Sequence, residues 1–139
     1  MIRNGILSVL LVAVGIGCAA IADTSPPKEK VLTGSWGGPH VSLEISGETA
    51  RIEYDCAHGT IDGPIVLDRE GRFEAAGTHA PERGGPVREG EEDPSQPARY
   101  RGRVTGKTLT LTVTLAGSGE EVGTFTLTWD AAARLVKCL

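Results

Sequence analysis

The chain contains none of the short motifs that mark the common catalytic sites. It has no glycine-rich P-loop, no G-x-S-x-G nucleophile elbow and no paired-histidine zincin motif. It also lacks an excess of basic residues, because 14 Lys and Arg stand against 18 Asp and Glu, for a net charge of −4. Nucleic acids and anionic lipid surfaces both require a basic face, so neither is expected as a partner. These absences favour a non-enzymatic protein without a cofactor.

No apolar run is long enough to cross a bilayer, which takes roughly 20 residues. The longest run covers 6–16 and follows the basic Arg3, a pattern typical of a secretory signal peptide. Two processing routes fit this segment. Cleavage after the A-x-A sequence at 20–22 would remove residues 1–22. Alternatively, the segment ending at Cys18 resembles the lipobox of bacterial lipoproteins, with glycine in place of the usual leucine, and the resemblance implies lipidation of Cys18.

Either route predicts an exported protein that is periplasmic or secreted, or lipid-anchored to the cell envelope. An uncleaved membrane anchor is the alternative, and the short apolar run disfavours it. The polar, proline-containing segment at 23–30 is predicted to be a flexible leader. A single domain is then predicted over 31–139. Removal of residues 1–22 takes away only one charged residue, a base, so the remaining chain stays acidic.

Aromatic residues are scarce, with two each of Phe, Trp and Tyr, whereas glycine is abundant at 19 residues. Short apolar runs between glycine-containing turns are typical of β-strands. The clearest run, at 108–115, alternates threonine with leucine or valine, and a second alternating run covers 124–129. This alternation predicts half-buried strands whose threonines face outward. No segment of any length has the periodicity of a helix.

Nine short strands are predicted along the domain. They cover 31–36, 40–46, 50–56, 60–67, 71–78, 98–105, 107–116, 121–130 and 134–139. Consecutive antiparallel strands form an up-and-down meander, and closing such a sheet removes its exposed edges. We therefore predict an all-β fold, a small antiparallel meander of eight or nine strands closed into a barrel. A two-sheet β-sandwich is the alternative.

Alternate loops of a meander lie at the same end of the barrel. The connections that share one end, here called the rim, are 37–39, 57–59, 79–97 and 117–120. Cys56 and Cys138 both fall at the rim, which predicts a disulfide between them that an oxidising compartment would preserve. Two free buried thiols are the alternative. Cys56 also stands near His58, as a thiol nucleophile stands near its base, but a disulfide would consume that thiol.

The same rule gathers all three histidines of the chain at the rim, beside the long acidic connection at 80–97. The candidate rim site comprises His40, His58, His79, Glu91, Glu92 and Asp93. Imidazole and carboxylate groups bind zinc, so a metal site with Asp62 or a loop acid is one interpretation. No short paired spacing of histidines supports it, and exposed loop histidines are the alternative. Connections of this length are often functional or disordered.

Three arginines, at 99, 101 and 103, lie on one face of a predicted strand. Arginine makes bidentate contacts to carboxylate and phosphate groups, so this stripe could bind an anion. Ion pairs with acidic residues such as Glu70, Glu74 or those of the acidic loop are the favoured interpretation in a net-acidic protein.

The segment Leu32-Thr33-Gly34-Ser35-Trp36 resembles the start of the calycin barrels, the lipocalin and avidin superfamily. In that family a Gly-x-Trp plugs the closed end of the barrel, so the resemblance implies this role for Trp36. The predicted strand count instead puts Trp36 near the rim, and an ordinary core tryptophan is the alternative. The segments 55–61 and 134–139 resemble small exported bacterial proteins of unknown function, which implies no particular activity.

The leading functional hypothesis is an extracytoplasmic binding or envelope-associated domain whose rim loops contact a protein or a small ligand. One specific version is an inhibitor-like protein in which the connection at 80–97, or a neighbouring rim loop, enters the cleft of an enzyme. The rival hypothesis is a metal-dependent enzyme that uses the rim histidines. A barrel fold by itself does not distinguish these functions.

Overall fold

The computed structural model describes residues 29–82, 85–86, 88–90 and 94–138, together with the isolated Gly17 and Ala22. Cys18 and most of the predicted signal segment and leader lie outside the described residues, as do Glu91, Glu92 and Asp93 of the candidate rim site. The described part of the chain contains no helix, and hence none with the length and hydrophobicity that a membrane crossing needs.

Ten strands make up the described domain. Their bounds are β1 Lys30–Val31, β2 Gly34–Gly38, β3 Val41–Ser46, β4 Thr49–Tyr54, β5 Ala57–Asp62, β6 Val66–Leu67, β7 Arg72–Pro81, β8 Gln96–Thr105, β9 Thr108–Leu115 and β10 Glu121–Trp129. Eight strands close into an antiparallel barrel in the order β10-β2-β3-β4-β5-β7-β8-β9, while β1 and β6 pair separately. The predicted up-and-down barrel is thereby confirmed, and the sandwich alternative is wrong.

The hairpin of β9 and β10 follows directly from the alternating sequence. Leu111 lies opposite Phe125 on the inner face, and Thr112 lies opposite Thr124 on the outer face. The two threonine hydroxyls are 3.0 Å apart and hydrogen-bonded. The inner leucines are fully buried, so each strand presents one apolar face to the core and one polar face to solvent.

The barrel interior is filled mainly by aliphatic side chains, with one tyrosine fully enclosed among them. The hydroxyl of Tyr100 donates a hydrogen bond to the carbonyl oxygen of Thr78 at 2.6 Å. Space for that hydroxyl exists because residue 59 is glycine: a Cβ there would lie 2.3 Å from the hydroxyl and 2.3 Å from the same carbonyl. Gly59 therefore permits the packing of the largest fully buried side chain.

Two of the predicted strands are divided. The run at 31–36 splits into β1, which pairs with β6, and β2, because the amide of Leu32 donates to the carbonyl of Ile65 rather than continuing the barrel ladder. The run at 60–67 splits in the same way, and β5 begins already at Ala57. The two short strands form a ribbon outside the barrel, so the barrel has eight strands.

The division of the first run also changes the position of Trp36. This residue lies opposite Leu43 in the middle of β2 and is 4% exposed. Its indole Nε1 donates to the carbonyl of Thr33, which precedes β2 at the end away from the rim. The prediction of Trp36 near the rim was therefore wrong, and its side chain belongs to the hydrophobic core.

The predicted ninth strand at 134–139 does not form. Residues 128–129 of β10 pair with β2 and close the barrel, so no free sheet edge remains for another strand. The chain after β10 instead crosses the outside of β2, where a Cβ on Gly37 would lie 2.2 Å from the carbonyl oxygen of Ala131. Its only β-bridge to the sheet among the described residues joins Pro39 and Arg134, and the amide of Asp130 also donates to the carbonyl of Ser35. We call residues 130–138 the C-terminal strap.

Candidate functional site

The rim forms as the meander predicts. The connections 39–40, 55–56, 82–95 and 116–120 lie between β2 and β3, β4 and β5, β7 and β8, and β9 and β10, and so leave the barrel at one end. The C-terminal strap reaches the same end, where Cys138 forms a disulfide with Cys56 and the two Cα atoms are 5.1 Å apart. The predicted bridge is confirmed, and Cys56 is not available as a nucleophile.

Asp55 holds the C-terminal strap against the rim. Its Oδ1 accepts the amide of Val136 at 2.8 Å, and its carbonyl accepts the amide of Cys138 at 3.2 Å. Its Oδ2 lies 2.6 Å from Nδ1 of His40. The pKa of the Asp55 carboxyl is lowered, chiefly by the hydrogen bond from Val136; desolvation opposes this effect and His40 reinforces it.

Lys137 makes a second connection between the strap and the rim. Its Nζ donates to the carbonyl of Tyr54 at 2.9 Å and to Oε1 of Glu82 at 3.1 Å. The same Glu82 oxygen lies 3.3 Å from Nδ1 of His58, and the Glu82 amide donates to the carbonyl of Cys56. These hydrogen bonds join the C-terminal strap, the turn at 55–56 and the residue that follows β7 on the outside of the rim.

The three histidines all lie at the rim, but they do not share a binding site. His40 and His58 are partly exposed and each has its own carboxylate partner. His79 faces the barrel interior and is 7% exposed. Asp62 stands at the opposite end of β5 and does not join them. Among the residues that the structure describes, no group of three His, Cys, Asp or Glu side chains is arranged to hold a metal ion.

An open pocket of about 310 Å³ lies at the mouth of the barrel. We call it the mouth pocket; its lining residues are His40, Tyr54, Asp55, Cys56, Ala57, His79, Pro81, Val122 and Phe125. The ring of Tyr54 stands between two others, with its centroid 5.6 Å from that of His79 and 5.0 Å from that of Phe125. The pocket wall is therefore largely aromatic and aliphatic.

Two of the lining residues each have one polar atom that is buried without a hydrogen-bond partner among the described residues: the hydroxyl of Tyr54 and Nδ1 of His79. Burial, and secondarily the proximity of His58, lowers the pKa of His79. Burial also raises the pKa of Tyr54, and the neighbouring phenol of Tyr100 adds to this effect. Both groups are therefore neutral near pH 7. An unpaired buried polar group costs about 1–3 kcal/mol, so these two atoms mark a place where the fold is not optimised for stability alone.

Sequence reasoning found His79 but missed Tyr54, Val122 and Phe125, which lie within the predicted strands 50–56 and 121–130. For Tyr54 and Val122 the available signal was position, since each is at, or next to, the rim end of its strand, whereas Phe125 lies in the middle of β10. An inward side chain at that level of a small barrel meets the mouth rather than the packed centre.

No protein-family model, no curated protein and no solved structure matches the chain. What the site can do follows from its own chemistry. The mouth pocket has a mainly apolar wall, and two of its lining residues carry a buried neutral hydroxyl that can donate or accept and a buried imidazole nitrogen whose tautomer sets its role. These groups suit binding of an uncharged, mainly apolar group that carries one or two hydrogen-bonding atoms.

Replacing Tyr54 by Phe is expected to leave the free energy of unfolding unchanged or raise it by about 1 kcal/mol, because the lost hydroxyl has no partner. The matched change Tyr100→Phe removes the hydrogen bond to Thr78 and should lower it by about 1–2 kcal/mol. Urea denaturation of both variants measures the difference. Equal losses in the two variants would mean that the Tyr54 hydroxyl is satisfied after all.

Acid is expected to loosen the C-terminal strap. The folded pKa of Asp55 lies below that of the unfolded chain, so its stabilising effect is complete above about pH 4 and is lost as the pH falls through the lower folded value. Amide hydrogen-exchange protection of Val136 and Cys138 should fall in that range. Asp55→Asn, which cannot titrate, should weaken this dependence. If the pH dependence of this protection is identical in Asp55→Asn, the effect does not come from the Asp55 carboxyl.

Proposed function

We propose that this protein is an extracytoplasmic binding protein that takes an uncharged, mainly apolar group into the mouth pocket. The observation that carries the proposal is the pair of buried polar atoms without partners on Tyr54 and His79, two residues whose side chains line a mainly apolar pocket that opens to solvent. Buried polar groups in folded proteins are nearly always hydrogen-bonded. A ligand that brings the missing partners gains both the hydrogen bonds and the burial of its apolar surface.

The size and charge of the pocket narrow the ligand class. A volume of about 310 Å³ is at the lower limit of small-molecule sites, which span roughly 300–1,000 Å³. It therefore suits a small ring compound or a single side chain of a partner protein. Because Tyr54 and His79 are both neutral, the group that contacts them is expected to be neutral as well, since the carboxylate in the lining, Asp55, is already bound to Val136 and His40.

Two features support an extracytoplasmic location. The N-terminal segment has the pattern of a signal peptide, and the disulfide between Cys56 and Cys138 is compatible with an oxidising compartment. The strap that carries Cys138 also contacts the rim beside the mouth pocket. Loss of the disulfide in a reducing compartment would therefore act on the binding end of the barrel.

The inhibitor-like version of the hypothesis depends on the connection at 80–97, whose acids at 91–93 lie outside the described residues, so it stays a prediction. The metal-dependent enzyme depends on the three histidines acting together. His40 and His58 are each paired with a separate carboxylate, and His79 faces inward, so no observation favours that alternative.

Indole, a neutral apolar ring with one N–H donor, serves as the probe of the mouth pocket. An NMR titration is expected to shift the resonances of Ala57, Val122 and Phe125. His79→Leu should weaken binding about fivefold, which corresponds to one hydrogen bond worth about 1 kcal/mol. Val122→Trp should abolish binding by filling the pocket.

His58→Leu is the matched control, since it makes the same substitution at a histidine that does not line the mouth pocket and that pairs with Glu82. It should bind indole as the wild type does. Resonance shifts spread over the outer wall, or equal binding by wild type and Val122→Trp, would exclude the mouth pocket as the site.

The export part of the proposal is tested by the mass of the mature protein recovered from bacteria that express the full chain. Cleavage after residue 22 leaves Asp23 as the N-terminus, whereas lipidation leaves an acylated Cys18. Either mass supports export. Recovery of the uncleaved chain from the cytoplasm, with Cys56 and Cys138 as free thiols, would contradict it without affecting the indole experiment.

A further inference from the structure

A second candidate site lies on the outer wall of the barrel, near the end away from the rim. Arg72, at the start of β7, lies directly opposite Arg103 of β8, and Arg101 projects from the same face of β8. Like charges directly opposite each other on neighbouring strands destabilise a sheet. The fold gains no stability from this pair, so the arrangement calls for a different explanation.

Carboxylates neutralise only part of this cluster. Glu74 pairs with both Arg99 and Arg101, so the predicted ion pairing holds for those two arginines. Arg72 and Arg103 form no ion pair or side-chain hydrogen bond with any residue in the described ranges. For Arg103 the ion-pair interpretation therefore fails.

No described acidic side chain lies within ion-pair distance of Arg72 or Arg103. Oδ1 of Asp68, in the turn before β7, already accepts the backbone amides of Glu70 and Arg72. Arg72 lies at the start of β7, a ten-residue strand, and so at the end away from the rim. The protein is acidic as a whole, yet the outer face of β7 and β8 carries four arginines, at 72, 99, 101 and 103, and one carboxylate, Glu74.

The arginines surround a shallow groove of about 370 Å³. Besides Arg72, Arg101 and Arg103, its wall includes Thr105, Thr110 and Thr112, and no carboxylate lines it. Thr110 lies opposite Arg103 and Thr112 lies opposite Arg101, so each of these two arginines on β8 faces a threonine on β9. Every donor is mounted on a strand or at its end, which limits the entropy lost when a ligand binds.

We propose that this arginine–threonine groove binds a tetrahedral oxyanion, a phosphate or sulfate group. Guanidinium groups form paired hydrogen bonds with such anions, and several of them can share one ligand. A bound dianion would also cancel the repulsion between Arg72 and Arg103. The groove is separate from the mouth pocket, and this inference does not rest on the proposed function.

The test is a titration with inorganic phosphate and with sulfate, at an ionic strength held constant with sodium chloride. Phosphate should shift the arginine Nε–H resonances of the groove and raise the melting temperature beyond the effect of chloride, since a ligand that binds only the folded state stabilises it. Arg103→Gln should weaken phosphate binding about tenfold, the equivalent of one charge-assisted hydrogen bond.

Arg51→Gln is the matched control, because Arg51 lies on β4, away from the groove, with Glu53 at 3.8 Å, and the variant loses the same charge. It should bind phosphate as the wild type does. Without phosphate, Arg103→Gln should be at least as stable as the wild type, because one of two facing cations is gone. Its weaker binding then cannot be attributed to unfolding. Equal phosphate affinity in Arg103→Gln and wild type would overturn the proposal.

Vesicles distinguish the source of the anion. A lipid headgroup would be identified if the protein sediments with vesicles of phosphatidylglycerol and phosphatidylcholine but not with vesicles of phosphatidylcholine alone. The variant Arg103→Gln should then lose this vesicle binding. Phosphate binding without vesicle binding would identify a soluble phosphoryl or sulfuryl ligand. If neither phosphate nor vesicles bind, and the melting temperature rises no more than with chloride, the proposed site is refuted.

Discussion

The pairing of β10 with β2 is the constraint on which the rest of the structure depends. Trp129 lies opposite Trp36 and Thr128 opposite Gly37, and these few positions close the sheet into a barrel. Closure leaves no edge for the remaining chain, which must cross the outside of β2. Gly37 makes that crossing possible because a side chain there would collide with the backbone of the strap. The strap then extends to the rim, where Cys138 forms the disulfide with Cys56.

The rim and the outer wall differ in how their charged groups are paired. At the rim, the charged groups that hold the strap have partners: Asp55 binds the strap and His40, and Glu82 binds Lys137 and His58. The two buried polar atoms without partners there, on Tyr54 and His79, are neutral. On the wall, the unpaired groups are exposed guanidinium ions with hydroxyl neighbours. A neutral apolar ligand and an oxyanion are thus suited to different parts of one scaffold, as is common for folds that carry sites at loops and faces.

Much of the fold was predictable because its signals are local. Period-two alternation in β9 and β10 identifies strands without any knowledge of their neighbours. The number of chain reversals then places Cys56, Cys138 and the histidines at one end. The prediction of a ninth strand failed because residues 134–139 resemble a strand in composition, while strand formation requires a free edge, and closure of the barrel removes it.

The sequence by itself determined the all-β class, the meander, the disulfide and the end of the barrel at which the histidines gather, because these follow from the order and periodicity of residues along the chain. Only the tertiary structure decided which of those side chains meet. His40 and His58 turn outward to separate carboxylates, whereas His79 turns inward beside Tyr54 and Phe125. The orientation and the partner of each side chain depend on distances between strands far apart in sequence, and no local pattern encodes those distances.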